Sequence, residues 1–307
     1  MRILVTGATG HVGGALQKAL DRFATVIATQ HSEFDLTRLD RIAENLNRIQ
    51  PDLIINAAAY TAVERAEDEK ELAFRINAQA PGVIAQWAAR HDVPLIHFST
   101  DYVFDGSGSA PWRETDRPHP LSAYGASKLA GEEAVVGANG PHLIIRTSWI
   151  YAASGTNFLR TILRLAEQRK ELRIVADQVG APTSPRVVAA ALAEIIGAHS
   201  TALRQRFAAA GGLINIAAAG ETSWYGFTVA ILDGLRQRGI ALATERVLPI
   251  ASAEYPSRVK RPANSRLDLS RLGEVFGVYP PQWDRALAAE LDELAMALKA
   301  SSASPAS

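Results

Sequence analysis

The apolar residues in the first half of the chain form short runs separated by helical periodicity. Five runs rich in Val, Ile and Leu have the length of buried strands, at residues 3–5, 26–28, 53–55, 95–98 and 143–145. Between them, apolar residues recur every three or four positions, which predicts helices at residues 11–22, 39–47, 66–90 and 123–136. Strands and helices that alternate in this way are typical of βαβ units, so we predict an α/β fold with a Rossmann-like, doubly wound parallel sheet.

The strict alternation fades after about residue 151, which indicates a second, smaller α/β lobe. A helix at 158–169 and a strand at 173–175 are expected there, whereas a helix at 187–196 and a strand at 213–216 can return to the first sheet. The tail at 300–307 is small and polar, so we expect it to be disordered. The predicted units are a nucleotide-binding domain and a C-terminal substrate-binding lobe, formed by residues 1–150 with about 179–219 and by residues about 151–178 with 220–299.

Composition excludes several classes of function. Lys plus Arg equals Asp plus Glu, 32 each, so the chain lacks the basic surplus of a nucleic-acid-binding protein. It has no cysteine, which rules out disulfides, thiolate catalysis and Cys-ligated zinc. The N-terminus shows no signal-peptide pattern, and the longest apolar stretch, at 187–198, is interrupted by Glu194 and too short to span a bilayer. We expect a cytoplasmic protein with no nucleic-acid or membrane partner.

A glycine-rich loop follows the first predicted strand and opens the first predicted helix. Gly7, Gly10 and Gly13 have the spacing G-x-x-G-x-x-G, one residue longer in the first gap than a dinucleotide fingerprint. Glycine lets the backbone approach a pyrophosphate, and the helix start at His11 and Val12 supplies N–H donors and a positive dipole end. A glycine turn without a ligand is the alternative, but its position directly after a strand favours a nicotinamide cofactor.

The end of the second predicted strand bears on the choice of cofactor. A site that prefers NAD often has Asp or Glu there for the ribose 2′-hydroxyl, but this chain has Gln30 and no carboxylate until Glu33. Gln30 does not repel a 2′-phosphate as an acid would, so we predict NADPH or NADH. Asp35 and Leu36 are expected at the adenine, with an N-cap of the following helix as an equal alternative for Asp35.

Small residues follow the third predicted strand and leave room for the cofactor backbone, although they could equally serve packing. We assign to the cofactor site the residues after this strand and one near the end of the fourth strand, namely Ala57, Ala58, Ala59, Tyr60, Thr61 and Phe98.

Tyr124 and Lys128 lie four residues apart at the start of a predicted helix, so the phenol and the ammonium share one helical face. A free tyrosine has a pKa of about 10, and a nearby ammonium is expected to lower it toward the working pH. Lys128 could also hold a nicotinamide ribose hydroxyl. Thr100 or Ser99, at the carboxyl end of the fourth strand, is expected to point into the cofactor crevice and to polarise a substrate carbonyl beside Tyr124. The structural alternatives are a surface pair for Tyr124 and Lys128, and an N-cap or Asx-turn for residues 99–101.

These residues lie in segments that resemble the extended short-chain dehydrogenase/reductase superfamily and, within it, the dTDP-4-dehydrorhamnose reductase family. The matching segments span nearly the whole chain, at residues 7–13, 56–63, 99–106, 124–128, 146–151, 177–183 and 261–267. The first and fourth mark the superfamily, and the others are more specific. The resemblance implies NAD(P)H-dependent reduction of the 4-keto group of dTDP-4-dehydro-L-rhamnose to dTDP-L-rhamnose.

The resemblance also implies residue roles. Thr100, Tyr124 and Lys128 would form the catalytic triad, in which Tyr124 protonates the C4 oxygen. Thr100 and Asp101 would contact the sugar, and Trp149 would pack against its ring, with a position in the core as the alternative for Trp149.

Three further features of the resemblance bear on the site. Asn77 resembles an asparagine that supports a proton relay in the superfamily, with a plain helix-face residue as the alternative. Family members often carry an acidic residue where this chain has Gln30, which argues against carrying over a preference for NADH. Some members are magnesium-bound dimers through glutamates, but residues 11–20 contain no Glu, so no metal is predicted and a homodimer is left open.

Other readings remain as alternatives. A related nucleotide-sugar epimerase or dehydratase shares the cofactor loop, but a dehydratase needs an Asp-Glu pair where this chain has Asp101 alone. A non-catalytic subunit resembling the regulatory subunit of methionine adenosyltransferase, or a redox-sensing regulator, is disfavoured by the intact catalytic set. In the second lobe, Arg258, Lys260 and Arg261 are candidates for a diphosphate clamp, with a solvated basic turn equally open.

Overall fold

The computed structural model describes residues 1–303, with side chains through residue 300, and residues 304–307 lie outside it. The central sheet contains β1 (Arg2–Thr6), β2 (Thr25–Thr29), β3 (Leu53–Asn56), β4 (Leu95–Thr100), β5 (His142–Thr147) and β8 (Leu213–Asn215). All six strands are parallel, in the order β2-β1-β3-β4-β5-β8, so the predicted Rossmann-like sheet is confirmed. The strand expected at 213–216 does return to this sheet.

The α-helices account for the connections between strands and for most of the second half. They are α1 (His11–Leu20), α2 (Leu39–Ile49), α3 (Lys70–Phe74), α4 (Ala80–Arg90), α5 (Ala123–Gly137), α6 (Phe158–Ala166), α7 (Pro185–His199), α8 (Leu203–Ala209), α9 (Trp224–Gln237), α10 (Ser270–Phe276) and α11 (Trp283–Ala303). A π-helical turn, Arg75–Gln79, joins α3 to α4. Such turns often mark functional positions, and this one carries Asn77.

Two apolar layers sandwich the sheet because successive strand residues point to opposite faces. On β1, Ile3 belongs to the same buried cluster as Leu16 of α1, whereas its neighbour Leu4 belongs to a second cluster with Leu46 of α2. Helices α1 and α7 cover the first face, and α2 and α4 cover the second. The sheet is therefore buried on both sides, and its carboxyl edge is left to form a site.

The second lobe has its own core and two short strand pairs. Strands β6 (Glu171–Val175) and β10 (Arg246–Ile250) pair in parallel, and β7 (Val179–Gly180) pairs antiparallel with β9 (Thr222–Ser223). Its buried apolar cluster is formed by residues of α6, α9 and α11 and includes Phe227, whose side chain is fully buried.

The predicted assignment of residues 220–299 to this lobe fails at α10. Leu272 and Phe276 lie one helical turn apart and pack in the first apolar layer of the sheet, beside α8 and β8. Helix α10 therefore crosses back to the nucleotide-binding domain, and the remaining boundaries stay a prediction.

The tail expected to be disordered from residue 300 is helical through Ala303, because alanine favours the helix most strongly. The rest of that prediction, at 304–307, lies outside the described residues. Within residues 1–303, no single helix is long and apolar enough to cross a membrane, and only α7 with α8, bent by 119° at their junction, reach that length and composition together.

Candidate active site

A cleft of about 1740 Å³ lies along the carboxyl edge of the sheet and extends to the second lobe. Ligands of open α/β sheets bind at this edge. Most residues predicted from the sequence line the cleft, namely Gly7, Gly10, His11, Val12, Gly13, Asp35, Leu36, Ala57, Ala58, Ala59, Thr61, Phe98, Thr100, Asp101, Tyr124, Lys128 and Trp149. Gln30, Tyr60 and Asn77 are not among the lining residues.

The glycine loop brings two backbone segments into direct contact. Gly7 has a φ of +69°, and a Cβ added there would lie 2.7 Å from Cα of Ala58. A Cβ on Gly13 would collide with the backbone of Gly7. Gly10 has an ordinary φ of −80° and caps α1 without any side-chain hydrogen bond. The loop is therefore a bare backbone cradle, closed by packing on one side and open to the cleft on the other.

The first turn of α1 faces this cradle with its N–H donors free of any side-chain cap, and it contains no acidic residue. Such a helix end attracts a negatively charged pyrophosphate. The loop and helix therefore fit the dinucleotide predicted from the sequence.

The tip of β2 differs from the prediction. Gln30 is exposed, and its backbone N–H donates to Oε2 of Glu33 at 2.9 Å. The group folded onto the strand end is therefore the carboxylate of Glu33 and not the amide of Gln30. In the sequence, Glu33 lies three residues after the position where a cofactor-binding acid is expected. Only the turn between residues 30 and 33 brings its carboxylate back to the end of β2.

Asp35 does not cap α2, which begins later, at Leu39. Its Oδ1 accepts the N–H of Thr37 at 2.8 Å and closes a tight turn. Burial acts to raise the pKa of Asp35, but the hydrogen bonds from Thr37 and the charges of His31 and Arg38 bring it below its usual value. Asp35 thus presents an ionised carboxylate to the cleft, and its contact with an adenine stays a prediction.

Tyr60 turns away from the cleft because its hydroxyl has a partner elsewhere. It donates to Oε2 of Glu69 at 2.8 Å. Its backbone is held by Asn77, whose Oδ1 accepts the Tyr60 N–H at 2.8 Å and whose Nδ2 donates to the Tyr60 carbonyl at 3.0 Å. Nδ2 of Asn77 also donates to Oγ of Ser127 at 3.0 Å. Asn77 therefore ties the loop after β3 to α5, and the assignment of Tyr60 to the cofactor site stays a prediction.

The three predicted catalytic side chains come together from two elements. Thr100 ends β4, whereas Tyr124 and Lys128 lie one turn apart on α5, which Ser122 caps by accepting the Gly125 N–H at 3.1 Å. The hydroxyl of Thr100 lies close enough to the phenol of Tyr124 to act on its pKa. Nζ of Lys128 donates to the carbonyl of Phe98 at 2.6 Å.

The predicted direction of the Tyr124 pKa is wrong. Burial raises the pKa of Tyr124, Thr100 opposes this, and the charges of Asp101 and Tyr102 add to it. Lys128 does not reverse the shift because its ammonium faces the Phe98 carbonyl. Burial also lowers the pKa of Lys128 itself to about 8, with Glu132 opposing. Tyr124 is therefore a neutral phenol near pH 7, the form that can give up a proton.

Asp101 is buried beside these groups. Its Oδ1 accepts the Thr100 hydroxyl at 3.0 Å, and its Oδ2 is buried without a hydrogen-bond partner among the described residues. Burial raises the pKa of Asp101 to about 6, and the nearby hydroxyls of Ser265 and Thr100 oppose that shift. An unpaired buried carboxyl oxygen that lines a cleft is suited to a polar ligand.

Trp149 lies in the cleft in an unusual backbone conformation. Its φ is +49°, in the left-handed region that side chains rarely adopt. Its ring stacks on Trp224, with ring centroids 3.6 Å apart and planes within 10°. The neighbouring hydroxyls of Thr147 and Ser148 also line the cleft, buried without a partner among the described residues. No motif in the sequence points to Trp224, whereas Thr147 and Ser148 lie in the matching segment 146–151 without a predicted role.

The basic residues of the second lobe reach the far end of the cleft. Arg258, Lys260 and Arg261 all line it. Arg258 forms a two-pronged ion pair with Asp68, at 3.0 and 2.9 Å, and Arg261 reaches Glu64 at 3.3 Å. The two arginines therefore bridge from the second lobe to the nucleotide-binding domain across the cleft mouth.

The RmlD substrate binding domain family model matches residues 1–296. The dTDP-4-dehydrorhamnose reductase of Burkholderia thailandensis is 46% identical over 287 residues, which cover 92% of this chain and 95% of that protein. That of Escherichia coli K12 is 42% identical over 298 residues, covering 96% and 98%. The solved dTDP-4-dehydrorhamnose reductase of Bacillus anthracis in complex with NADP has a TM-score of 0.86 at 31% identity, covering 95% of this chain and 99% of that one.

Proposed function

Because the chain belongs to the family of dTDP-4-dehydrorhamnose reductases, we propose that it reduces the 4-keto group of dTDP-4-dehydro-L-rhamnose to dTDP-L-rhamnose with NADPH or NADH. The observation that carries the proposal is the meeting of Thr100, Tyr124 and Lys128 in the cleft at the carboxyl edge of the sheet, where the pKa of the partly buried Tyr124 is raised and its phenol stays neutral. A reductase needs a proton donor at this position, whereas a deprotonated phenol suits the reverse, oxidative direction.

The side chains of the protein polarise the substrate carbonyl and donate the proton. A bound nicotinamide cofactor supplies the hydride, which adds to C4. The hydroxyl of Thr100 turns from Asp101 to donate to the carbonyl oxygen, and Tyr124 transfers its phenolic proton to that oxygen, so that the ketone becomes a secondary alcohol. The ammonium of Lys128, one helical turn from Tyr124, would stabilise the phenolate left on Tyr124 once it turns from the Phe98 carbonyl.

The glycine loop and α1 support binding of the cofactor pyrophosphate through backbone donors, and Lys128 is placed to hold a ribose hydroxyl. Asp101, with its unpaired oxygen, and the face of Trp149 support recognition of the sugar. Arg258 and Arg261 are proposed to release Asp68 and Glu64 and to bind the diphosphate, because guanidinium groups prefer phosphate oxygens in paired geometry. The expected cytoplasmic location and a homodimer stay predictions.

The test is a turnover assay with dTDP-4-dehydro-L-rhamnose generated in situ, followed by the loss of NADPH or NADH absorbance and by chromatography of the product. Rapid oxidation with formation of dTDP-rhamnose supports the proposal, and the faster cofactor reports the effect of Glu33 at the tip of β2. Cofactor binding without oxidation would contradict it and favour a non-catalytic subunit.

A further inference from the structure

A buried ion pair lies behind the catalytic residues, outside the proposed chemistry. Glu132 is on α5, one turn beyond Lys128. Its Oε1 accepts the hydroxyl of Ser99 at 2.5 Å and Nε of Arg146 at 2.9 Å, and its Oε2 accepts Nη2 of Arg146 at 2.6 Å. The side chains of the pair are only 3% and 6% exposed. One carboxylate therefore joins α5 to β4 and to β5.

Each of these bonds is next to a residue of the proposed site. Ser99 directly precedes Thr100 on β4, and Arg146 directly precedes Thr147 on β5, which is paired in register with Thr100. On the other side of Ser99, the carbonyl of Phe98 accepts Nζ of Lys128. Two hydrogen bonds therefore join α5 to the end of β4, one from Lys128 to Phe98 and one from Ser99 to Glu132. They hold Thr100 against the helix that carries Tyr124.

The charges in this layer are unbalanced. Lys128 and Arg146 are both cationic, and Glu132 is the group that favours the charged form of Lys128. Arg146 is stabilised further by the ring of Phe104, 4.9 Å from its guanidinium carbon. The other titratable groups that face Lys128 do not stabilise its positive charge. Burial and the Lys128 charge keep His97 neutral, and Tyr124 is neutral as well. Asp101 has a pKa of about 6 and is hydrogen-bonded to Thr100.

Stability alone gives little reason for such a pair. Well-packed apolar residues of similar volume usually stabilise a protein as much as a buried ion pair, because both ions must be stripped of water. A specific geometry is a better reason, since the pair fixes three elements to one another.

We propose that Glu132 is a positioning residue for the reduction, whose carboxylate holds the Thr100 strand end against α5 and places a negative charge one helical turn from Lys128. This inference rests on the proposed function, because it assigns a task to the same catalytic groups.

The decisive variant is Glu132→Gln, which keeps the shape and the acceptor for Ser99 but removes the negative charge. Without that charge, and with Arg146 left unpaired, the ammonium of Lys128 becomes less favourable. We expect the alkaline limb of the kcat profile to move down by about one pH unit, and kcat at pH 8 to fall about fivefold. Glu132→Asp retains the charge but shortens the side chain, so it should lower kcat without moving that limb.

Glu114→Gln is the matched control. Glu114 is also buried, accepts the backbone N–H of Asn215 at 2.9 Å and lies 3.7 Å from Arg271, so its partners are on β8 and α10 and not beside Thr100. Its substitution should leave the pH profile in place. A Glu132→Gln enzyme with the wild-type limb and wild-type kcat would overturn the proposal, as would an equal shift in Glu114→Gln.

Two further measurements keep the test independent of folding and of turnover. If Glu132→Gln does not fold, Ser99→Ala removes the bond to β4 and leaves the ion pair intact; kcat should then fall several-fold, and an unchanged kcat would refute the positioning role. The dissociation constant for NADPH, measured from quenching of tryptophan fluorescence across pH, reports the charge of Lys128 without any substrate. If the wild type binds NADPH but does not reduce the keto-sugar, the proposed function fails, whereas an unshifted pH dependence of NADPH binding in Glu132→Gln refutes the inference about Glu132.

Discussion

The buried carboxyl of Asp101 should make the protein less stable as the pH rises. Burial raises the pKa of Asp101 from 3.8 to about 6, so folding disfavours its charged form. For a group whose pKa is higher in the folded state, the stabilising effect is fully present below the unfolded pKa and is lost as the pH rises through the folded one. The loss therefore falls between about pH 4 and pH 6 and persists above it.

The size of the effect follows from the shift. The difference between 3.8 and about 6 is roughly two pH units. Each unit corresponds to about 1.4 kcal/mol, so the charged carboxyl lowers the free energy of unfolding by roughly 3 kcal/mol at pH 8. In Asp101→Asn, the amide oxygen still accepts the Thr100 hydroxyl and no charge is buried. The variant should therefore be more stable than the wild type by about this amount at pH 8, with the gap closing toward pH 4.

The assay is urea and thermal unfolding of both proteins at intervals from pH 4 to pH 8, without ligand. Asp21→Asn is a control, because Asp21 is exposed and should give no such trend. An Asp101→Asn variant that is no more stable than the wild type at pH 8, or whose advantage is the same at pH 4, would refute the reasoning. The variant should also bind the sugar nucleotide more weakly, which would mark Asp101 as a residue retained for function against its cost in stability.

Three other predictions concern the cleft. Tyr124→Phe should lower kcat by about 10²–10⁴-fold with an unchanged NADPH dissociation constant, and full turnover would remove Tyr124 from the mechanism. Gly7→Ala should lower the melting temperature and weaken NADPH binding, because the added Cβ would collide with the backbone of Ala58. Gly108→Ala is the control: its φ is +75° but the space around it is open, so its free energy of unfolding should fall only by the roughly 1–2 kcal/mol of left-handed backbone strain. Trp149→Ala should raise KM for the sugar nucleotide more than it lowers kcat, as initial rates would report.

Local patterns were enough to predict the sheet and the cofactor loop. The strand expected at 213–216 joins the sheet as β8, because a short apolar run of that length has few other places to be buried. The glycines at 7 and 13 lie where their spacing after a strand predicts a close backbone approach. These features depend on neighbours within a few residues, which a sequence displays directly.

The features that escaped prediction depend on residues far apart in the chain. Glu132 reads as an ordinary helix residue until β5 brings Arg146 against it. The stack of Trp149 on Trp224 joins two lobes through a backbone conformation that no local motif announces.

The wrong prediction for the Tyr124 pKa shows how strongly burial changes the protonation of the groups in this site. Counting a lysine four residues away predicts a more acidic phenol, but Lys128 is buried and Tyr124 is partly buried, and loss of water around each group disfavours its charged form. The phenol is therefore held protonated while the ammonium becomes easier to lose. For an enzyme that must donate a proton to a ketone, the protonated phenol is the useful state, and the difficulty passes to the phenolate that remains afterwards. A charged Lys128 would stabilise that phenolate. Burial disfavours the charge of Lys128, as it disfavours the charge of Tyr124. The carboxylate of Glu132, one helical turn away, opposes this effect on Lys128.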